Sequence, residues 1–294
     1  MSKAQTLRKL IEGDGMTIAP GAYDGLTATL VGKAGFQAVY MTGAGTSGSM
    51  GYPDFGLLTL TEMVQNAARM NACIDVPLIA DADTGYGNEL NVVRTVQEYE
   101  RAGVAAIHME DQEFPKKCGH LDDKQVIPLE DYLAKVRAAV DTRTDPDFMI
   151  IARTDSRAVL GFEEAVRRAN AALEAGADIA FVEAPQTLEE VRDVPKLVKG
   201  PCLLNVVHRG KTPAVDLGDA EGMGYKLAIL PSVLFRSVVG LCEHLLNELK
   251  EKNALPTPPG DMSPMDTFRR VGADEWDALR TKYDKPAAPK AAAE

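Results

Sequence analysis

"FMIIARTD", residues 148–155, followed by "GFEEAVRRANAALEAGA" (161–177) and "IAFVEA" (179–184), decides the architecture. The outer two pieces are short apolar runs ending in charged residues, the form of strands buried on both faces of a parallel sheet. The middle piece sets Phe162, Ala165, Val166, Ala169 and Leu173 on one helical stripe and stops at Gly176. Together they make one strand–helix unit.

The unit recurs in both directions. "MTIAPG" (16–21), "QAVYMTG" (37–43), "VPLIADAD" (76–83), "AAIHMED" (105–111), "PCLLNVV" (201–207) and "YKLAILP" (225–231) bring the runs to eight. Between them, "NVVRTVQEYERAG" (91–103) spaces Val92, Val93, Val96 and Tyr99 by three and four and stops at Gly103, and "LEDYLAKVRAAVDTR" repeats the pattern. Eight units over about 230 residues match an α/β fold of the (β/α)8 TIM-barrel type. An open doubly wound sheet is the alternative, without a G-x-G-x-x-G after the first strand. The barrel is expected over 1–255, with a helical extension over 256–284 that packs on a neighbouring subunit. The tail, 285–294, is low-complexity and expected to be disordered.

The chain has 294 residues, 45% hydrophobic and 26% charged, with a formal charge of −11. Nothing offers a basic face to phosphates, so no nucleic acid is expected. An anionic substrate would need local cations or a metal. No apolar stretch of about 18 residues predicts a membrane span. The cysteines Cys73, Cys118, Cys202 and Cys242 are far apart with no C-x-x-C. That pattern and the lack of a signal-like N-terminus fit a cytoplasmic protein.

In such a barrel the chemistry sits where the strands end. Those ends carry Tyr40, Thr42 and Gly43; Asp81 and Asp83; Glu110 and Asp111; Arg153 and Asp155; Glu183; Asn205; and Ser232 with Arg236. So many carboxylates need a cation between them. Asp81 and Asp83 alternate by two, which on a strand gives one face. With Glu110 on the next strand they form an oxygen-only set suited to Mg²⁺, with Mn²⁺ as the alternative ion; helix caps or turn residues are the competing role. Such an ion would chelate a 2-oxo or 2-hydroxy acid, and Arg153 would hold a carboxylate or a structural salt bridge to Asp155 or Glu183. His108 shares a face with Glu110 and is expected as a barrel-layer histidine.

"FPKKCGH" (114–120) puts Cys118 eight residues past Glu110, on a loop able to cover the mouth. Lys116, Lys117 and His120 make its surroundings electropositive, which predicts a lowered thiol pKa. The thiol is expected to act as nucleophile or proton donor.

"DADTGYGN", "HMEDQ", "PKKCGH" and "ARTDS", in this order and spacing, resemble the isocitrate lyase/phosphoenolpyruvate mutase superfamily over residues 5–255. Within it the chain is similar to the short lyases acting on 2-methylisocitrate, 2,3-dimethylmalate and related 2-alkylmalates. The resemblance implies a homotetramer with an exchanged C-terminal helix and one Mg²⁺ per site. It assigns Asp81 to the metal and Asp54, Asp83 and Glu110 to its waters. Thr42, Gly43 and Ala44 would hold the α-carboxylate; Arg153, Glu183 and Asn205 would contact substrate, with Lys116, Gly119 and His120 of the loop. Cys118 would be the general acid, and Tyr40 a candidate base or relay. The implied reaction cleaves a 2-hydroxy dicarboxylate to pyruvate plus propionate or succinate.

"VVHRGKTP" departs from the glutamate and glycine familiar after the seventh strand. His208 and Arg209 there would make the pocket rim more cationic or face solvent. Oxaloacetate hydrolases keep a similar cysteine loop and are the alternative enzyme, whereas phosphonomutases lack it. A non-catalytic metabolite-binding barrel would be expected to lose Asp81 or Cys118.

Overall fold

The computed structural model describes residues 1–284. Eight parallel strands close on themselves: β1 (Thr17–Ala22), β2 (Val39–Met41), β3 (Leu78–Asp81), β4 (Ala106–Glu110), β5 (Met149–Thr154), β6 (Ile179–Val182), β7 (Cys202–Asn205) and β8 (Leu227–Leu230). β8 returns to β1 through the pairs Thr17–Leu227 to Pro20–Leu230. Seven strands fall inside the expected apolar runs, and β1 runs one residue past its own, to Ala22.

The barrel interior is a packed core of Ala19, Ile79, Ala106, Ile151, Phe181, Leu203, Leu227 and Ile229. The N-terminal helix Lys3–Glu12 adds Ala4, Leu7 and Ile11 to that cluster and seals one end. Lys3 ties this helix to the carbonyls of Asn71 and Ile74 at 2.7 and 2.6 Å. Outside, the helix Glu89–Arg101 buries Val92, Val96 and Tyr99, and Phe162–Glu174 buries Ala165, Val166 and Ala169. Gly103 (φ 77°) and Gly176 (φ 105°) turn the chain in the left-handed region directly after these helices. The glycine stops read from the sequence are therefore real.

By internal contacts the chain divides into Met1–Cys242 and Glu243–Glu294. The long helix Val233–Lys252 crosses that division, and 255, the expected barrel limit, lies just past its end. In the second unit, the helix Pro264–Arg269 is started by Ser263, whose hydroxyl accepts from Asp266 N while the Asp266 carboxylate accepts from Ser263 N. A further helix spans Ala273–Tyr283. Leu246, Leu255, Phe268, Trp276 and Tyr283 are all exposed. The tail expected to be disordered, 285–294, lies outside the described residues. Among the described residues no helix is long and apolar enough to cross a membrane.

Candidate active site

Strand register brings the acidic ends together. Asp81 stands opposite His108, and Glu110 opposite Arg153. Glu110 Oε2 lies 2.9 Å from Arg153 Nη1, yet neither Glu110 oxygen has a well-formed hydrogen bond. The expected alternation of Asp81 and Asp83 is corrected: β3 ends at Asp81, and Asp83 sits in the left-handed region (φ 46°). The two meet through a turn in which Asp83 N donates to Asp81 Oδ1 at 2.9 Å. On the other side, Thr42 caps the helix Gly43–Ser49, and Gly43 N donates to Asp81 Oδ2 at 3.1 Å. A Cβ at Gly43 would run into the Asp81 carboxylate, so only glycine permits this approach. From behind, Tyr99 of the helix Glu89–Arg101 donates to the Asp81 carbonyl at 2.9 Å.

His108 is fully buried, as expected of a barrel-layer residue. Its Nε2 lies 2.7 Å from the Tyr40 hydroxyl, and that hydroxyl donates to Asp81 Oδ2 at 3.4 Å. Tyr40 and Phe181 hold the imidazole in stacked and edge contacts.

The loop after β4 folds back over these groups. It is pinned at its base by backbone bonds Glu113 N to Gln125 O and Ile127 N to Asp111 O, both 2.9 Å. The Gln112 amide accepts from Lys117 N at 2.9 Å and donates to Lys117 O at 2.8 Å. Lys116 is buried and reaches both Asp54 Oδ1 (2.5 Å) and Asp83 Oδ1 (2.6 Å). His120 Nδ1 accepts from Lys211 N at 3.0 Å, which directs its other nitrogen toward Glu183 Oε1 at 3.4 Å. Asn205 Nδ2 donates to both Glu183 oxygens at 3.2 and 3.1 Å. Gly119 packs so closely on Glu183 and Arg153 that a side chain there would collide with both.

Beneath the loop lies a cavity of ≈ 230 Å³. Tyr40, Thr42, Ala44, Asp54, Asp81, Cys118, Gly119, His120, Arg153, Glu183 and Asn205 all line it, as do Phe181, Val207, Ile229, Pro231 and Phe235, which the strand-end survey missed. Gly43, Asp83, Glu110 and Lys116 stand just behind this wall. His208 and Arg209 are exposed and line a different groove, so they do not add charge to the cavity itself.

The alternative salt bridge of Arg153 to Asp155 is present, while sequence reasoning missed Lys124. Asp155 accepts from Arg153 Nε at 2.9 Å and Nη2 at 3.2 Å, and from Lys124 Nζ at 2.8 Å. That pairing was read from "ARTD", where the acid follows the arginine by two residues. Lys124 gave no such signal, because its partner is distant in sequence.

Protonation follows from burial and neighbours. Burial works against ionising Asp81, but the His108 ring, Lys116, Arg153 and the Asp83 N–H hold it at about 2. Burial pushes His108 itself down to about 4, so at neutral pH the ring is uncharged and the cations acting on Asp81 are Lys116 and Arg153. Burial, with Asp81 and Asp54 nearby, raises Asp83 to about 6 against the pull of Lys116. Burial also keeps the Tyr40 phenol protonated well above the usual range.

The expected lowering of the Cys118 pKa is overturned: burial, with Asp54 and Glu183 adding to it, raises the thiol to about 11. Lys116 does not make the thiol's surroundings positive, because its charge is spent on Asp54 and Asp83. Of the two chemistries left open for Cys118, a proton donor fits this environment and a thiolate nucleophile does not.

The metal implied by the resemblance can be tested on these groups. Among the described residues no three His, Cys, Asp or Glu side chains converge to hold an ion by themselves. Mg²⁺ does not need that: it keeps several waters and takes one or two carboxylates directly. The Glu110 oxygens, buried and without a well-formed hydrogen bond, are acceptors suited to such waters, and the donor set is all oxygen. The residues fit the ion.

Comparison with known proteins agrees with this geometry. Residues 7–250 match the family described as phosphoenolpyruvate phosphomutase. The chain is 46% identical to 2,3-dimethylmalate lyase of Eubacterium barkeri over 91% of its own length and 92% of that protein's. It is 47% identical to 2-methylisocitrate lyase of Aeropyrum pernix, over 84% of this chain and 79% of the other. Among solved structures, oxaloacetate acetylhydrolase bound to 3,3-difluorooxalacetate superposes with a TM-score of 0.93 at 36% identity, covering 98% and 99% of the two chains. A closed barrel, an acidic mouth under a cysteine loop and relatives matched over most of their length lead to one conclusion: the chain belongs to the phosphoenolpyruvate mutase/isocitrate lyase superfamily and is one of its carbon–carbon lyases.

Proposed function

We propose that the protein is a Mg²⁺-dependent lyase that cleaves a small 2-hydroxy dicarboxylate, 2,3-dimethylmalate or a related 2-alkylmalate, to pyruvate and a carboxylate such as propionate. Cys118 carries this reading: its thiol stays protonated up to about 11 in the wall of a cavity that also holds Asp54 and Asp81. A protonated thiol is a general acid, and cleavage next to a carboxylate leaves a carbanion that needs one.

Asp81 would hold the ion, with Asp54, Asp83 and Glu110 on its waters; Mn²⁺ has the same ligand preference. Bound there, Mg²⁺ supplies a Lewis acid that draws charge from the substrate's carboxylate and 2-hydroxyl oxygens. Thr42, Gly43 and Ala44 take the α-carboxylate. Arg153, Glu183 and Asn205, with Lys116, Gly119 and His120 of the loop, enclose the remainder.

A base removes the hydroxyl proton, and Tyr40 fits a relay for it, since its own hydroxyl stays protonated and is bonded to His108 and Asp81. The oxygen electrons form the carbonyl of pyruvate, the C2–C3 bond breaks, and its electron pair remains on C3 beside the second carboxylate. Cys118 gives its proton to C3 and regains one from water. The closed loop keeps solvent from reaching C3 first.

The exposed apolar side chains of Val233–Lys252 and of the segment beyond support a homotetramer with exchanged C-terminal helices. Light scattering of the full chain and of a chain ending at 242 tests this. The unpaired cysteines suit a reducing cytoplasm.

The test of the reaction is coupled pyruvate release with Mg²⁺ from 2,3-dimethylmalate, 2-methylisocitrate, isocitrate and simple 2-alkylmalates, with oxalate release from oxaloacetate in parallel. Metal-dependent pyruvate lost in Cys118→Ser supports the lyase. Succinate beside the pyruvate moves the substrate to 2-methylisocitrate, and oxalate without pyruvate moves the reaction to oxaloacetate hydrolysis. Ligand binding without turnover leaves a metabolite-binding barrel.

A further inference from the structure

We propose that Lys124 is a positioning residue for proton delivery, latching the loop that carries Cys118 onto the end of β5 through Asp155. The inference rests on the reading of Cys118 as proton donor and deepens it.

Lys124 lies beyond Cys118 on the same loop and does not itself line the cavity, yet its side chain is only 1% exposed and Asp155 is at 0%. Its ammonium donates to Asp155 Oδ1 at 2.8 Å and to the Gly119 carbonyl. A buried lysine is costly unless paired and hydrogen-bonded, so such a placement has to be held by its partners. Both partners bear on catalysis. Gly119 is the residue next to Cys118, so fixing its carbonyl fixes the peptide that orients the thiol. Asp155 also grips Arg153 at Nε and Nη2, and Arg153 reaches Glu110 at 2.9 Å and Glu183 at 3.8 Å.

The other loop contacts do not replace this one. Gln112 clamps Lys117 from within the loop's own base, and the bond from Lys211 N to His120 joins it to another loop. His120 also faces Glu183 at 3.4 Å and Lys116 pairs with Asp54 and Asp83, but Lys124 is the loop residue that joins the Gly119 carbonyl to a charge at the end of β5. Asp155 keeps its Arg153 partner when Lys124 is removed, so loss of the latch frees the loop without leaving an unpaired carboxylate in the barrel.

The test compares wild type, Lys124→Met and Lys124→Ala as full-length protein with Mg²⁺, by the rate of iodoacetamide labelling at Cys118 and by steady-state kinetics. Opening the loop raises Cys118 labelling in Lys124→Met by about 10-fold or more, a conservative fraction of what breaking a buried ion pair releases. Misplacing the thiol by about 1 Å lowers kcat by about 10²-fold, with KM changed far less. Propylammonium supplied to Lys124→Ala restores both slow labelling and kcat, which a merely structural defect would not allow. Labelling of Lys124→Met at the wild-type rate overturns the latch, as does a kcat loss that propylammonium leaves untouched. If wild type itself releases no pyruvate, the lyase reading fails, and the labelling comparison still decides the latch by itself.

Discussion

Replacing Gly119 by alanine asks whether the loop's closeness to the barrel is what makes the site work. Gly119 does not adopt a left-handed backbone, so alanine brings no conformational strain. The added methyl would nonetheless lie 2.5 Å from Arg153 Nη2, 2.7 Å from Glu183 Cδ and closest of all to Glu183 Oε1, against an ordinary contact of 3.4 Å or more. Arg153 and Glu183 cannot yield easily, because Asp155 and Glu110 fix the first and Asn205 the second. The loop must therefore retreat by about an ångström or more and carry Cys118 with it. A shift of that size in a reacting group costs about 10²-fold in rate. The fold loses little, within about 0.5 kcal/mol, since the loop is peripheral to the core. The assay is kcat and KM for pyruvate release beside thermal unfolding of Gly119→Ala. A variant with wild-type kcat and KM would refute the reasoning, because it would mean that the tight approach is irrelevant to proton transfer. A collapse of Tm would refute it differently, by making the glycine a folding requirement.

Four further outcomes follow from the same geometry. A donor must be protonated to act, and Cys118 is held to about 11, so activity shows no alkaline fall from this thiol below about pH 10; a falling limb near 8 that vanishes in Cys118→Ser would contradict the shielding described. Cys118→Ser itself lowers kcat by about 10²–10⁴-fold at neutral pH. Tyr99→Phe removes the bond to the Asp81 carbonyl and leaves that acceptor buried, which costs about 1–3 kcal/mol in urea unfolding; a change under about 0.3 kcal/mol would mean the carbonyl finds another partner. Mg²⁺ at a hundredfold its Kd stabilises the protein by about 2.7 kcal/mol, and Asp81→Asn abolishes that gain together with EDTA-sensitive activity; an unchanged Mg²⁺-dependent rise in Tm would take Asp81 out of the metal site.

The strands were legible because a doubly buried strand leaves an unbroken apolar run, and the helix ends because Gly103 and Gly176 are needed where the chain turns left-handed. The acids at the mouth were legible for the same reason: each ends such a run. What the order of residues could not disclose is who faces whom. Lys116 reads as a neighbour that activates Cys118, yet in space it is consumed by Asp54 and Asp83, and the thiol moves the opposite way. Asp83 reads as the strand-mate of Asp81, but the strand has already ended and a turn brings the two together. His208 and Arg209 sit at the right distance along the chain to line the pocket and line another groove instead. Lys124 and Asp155 find each other only through a loop closing on a distant strand.

The seam between β1 and β8 bears on how this chain comes into being. Thr17 has no partner on that edge until Leu227 has been made, so a nascent chain carries an open sheet with bare edges at β1 and at its growing end through most of synthesis. The helix Lys3–Glu12 is finished first but has no closed barrel to seal, and its Leu7 and Ile11 must wait beside those edges for β8. Closure is thus a late event that joins the two ends of the catalytic unit, and contacts so distant in sequence form slowly. A chain stopped before Leu230 would hold nearly every catalytic residue and still present two unpaired strands to its neighbours.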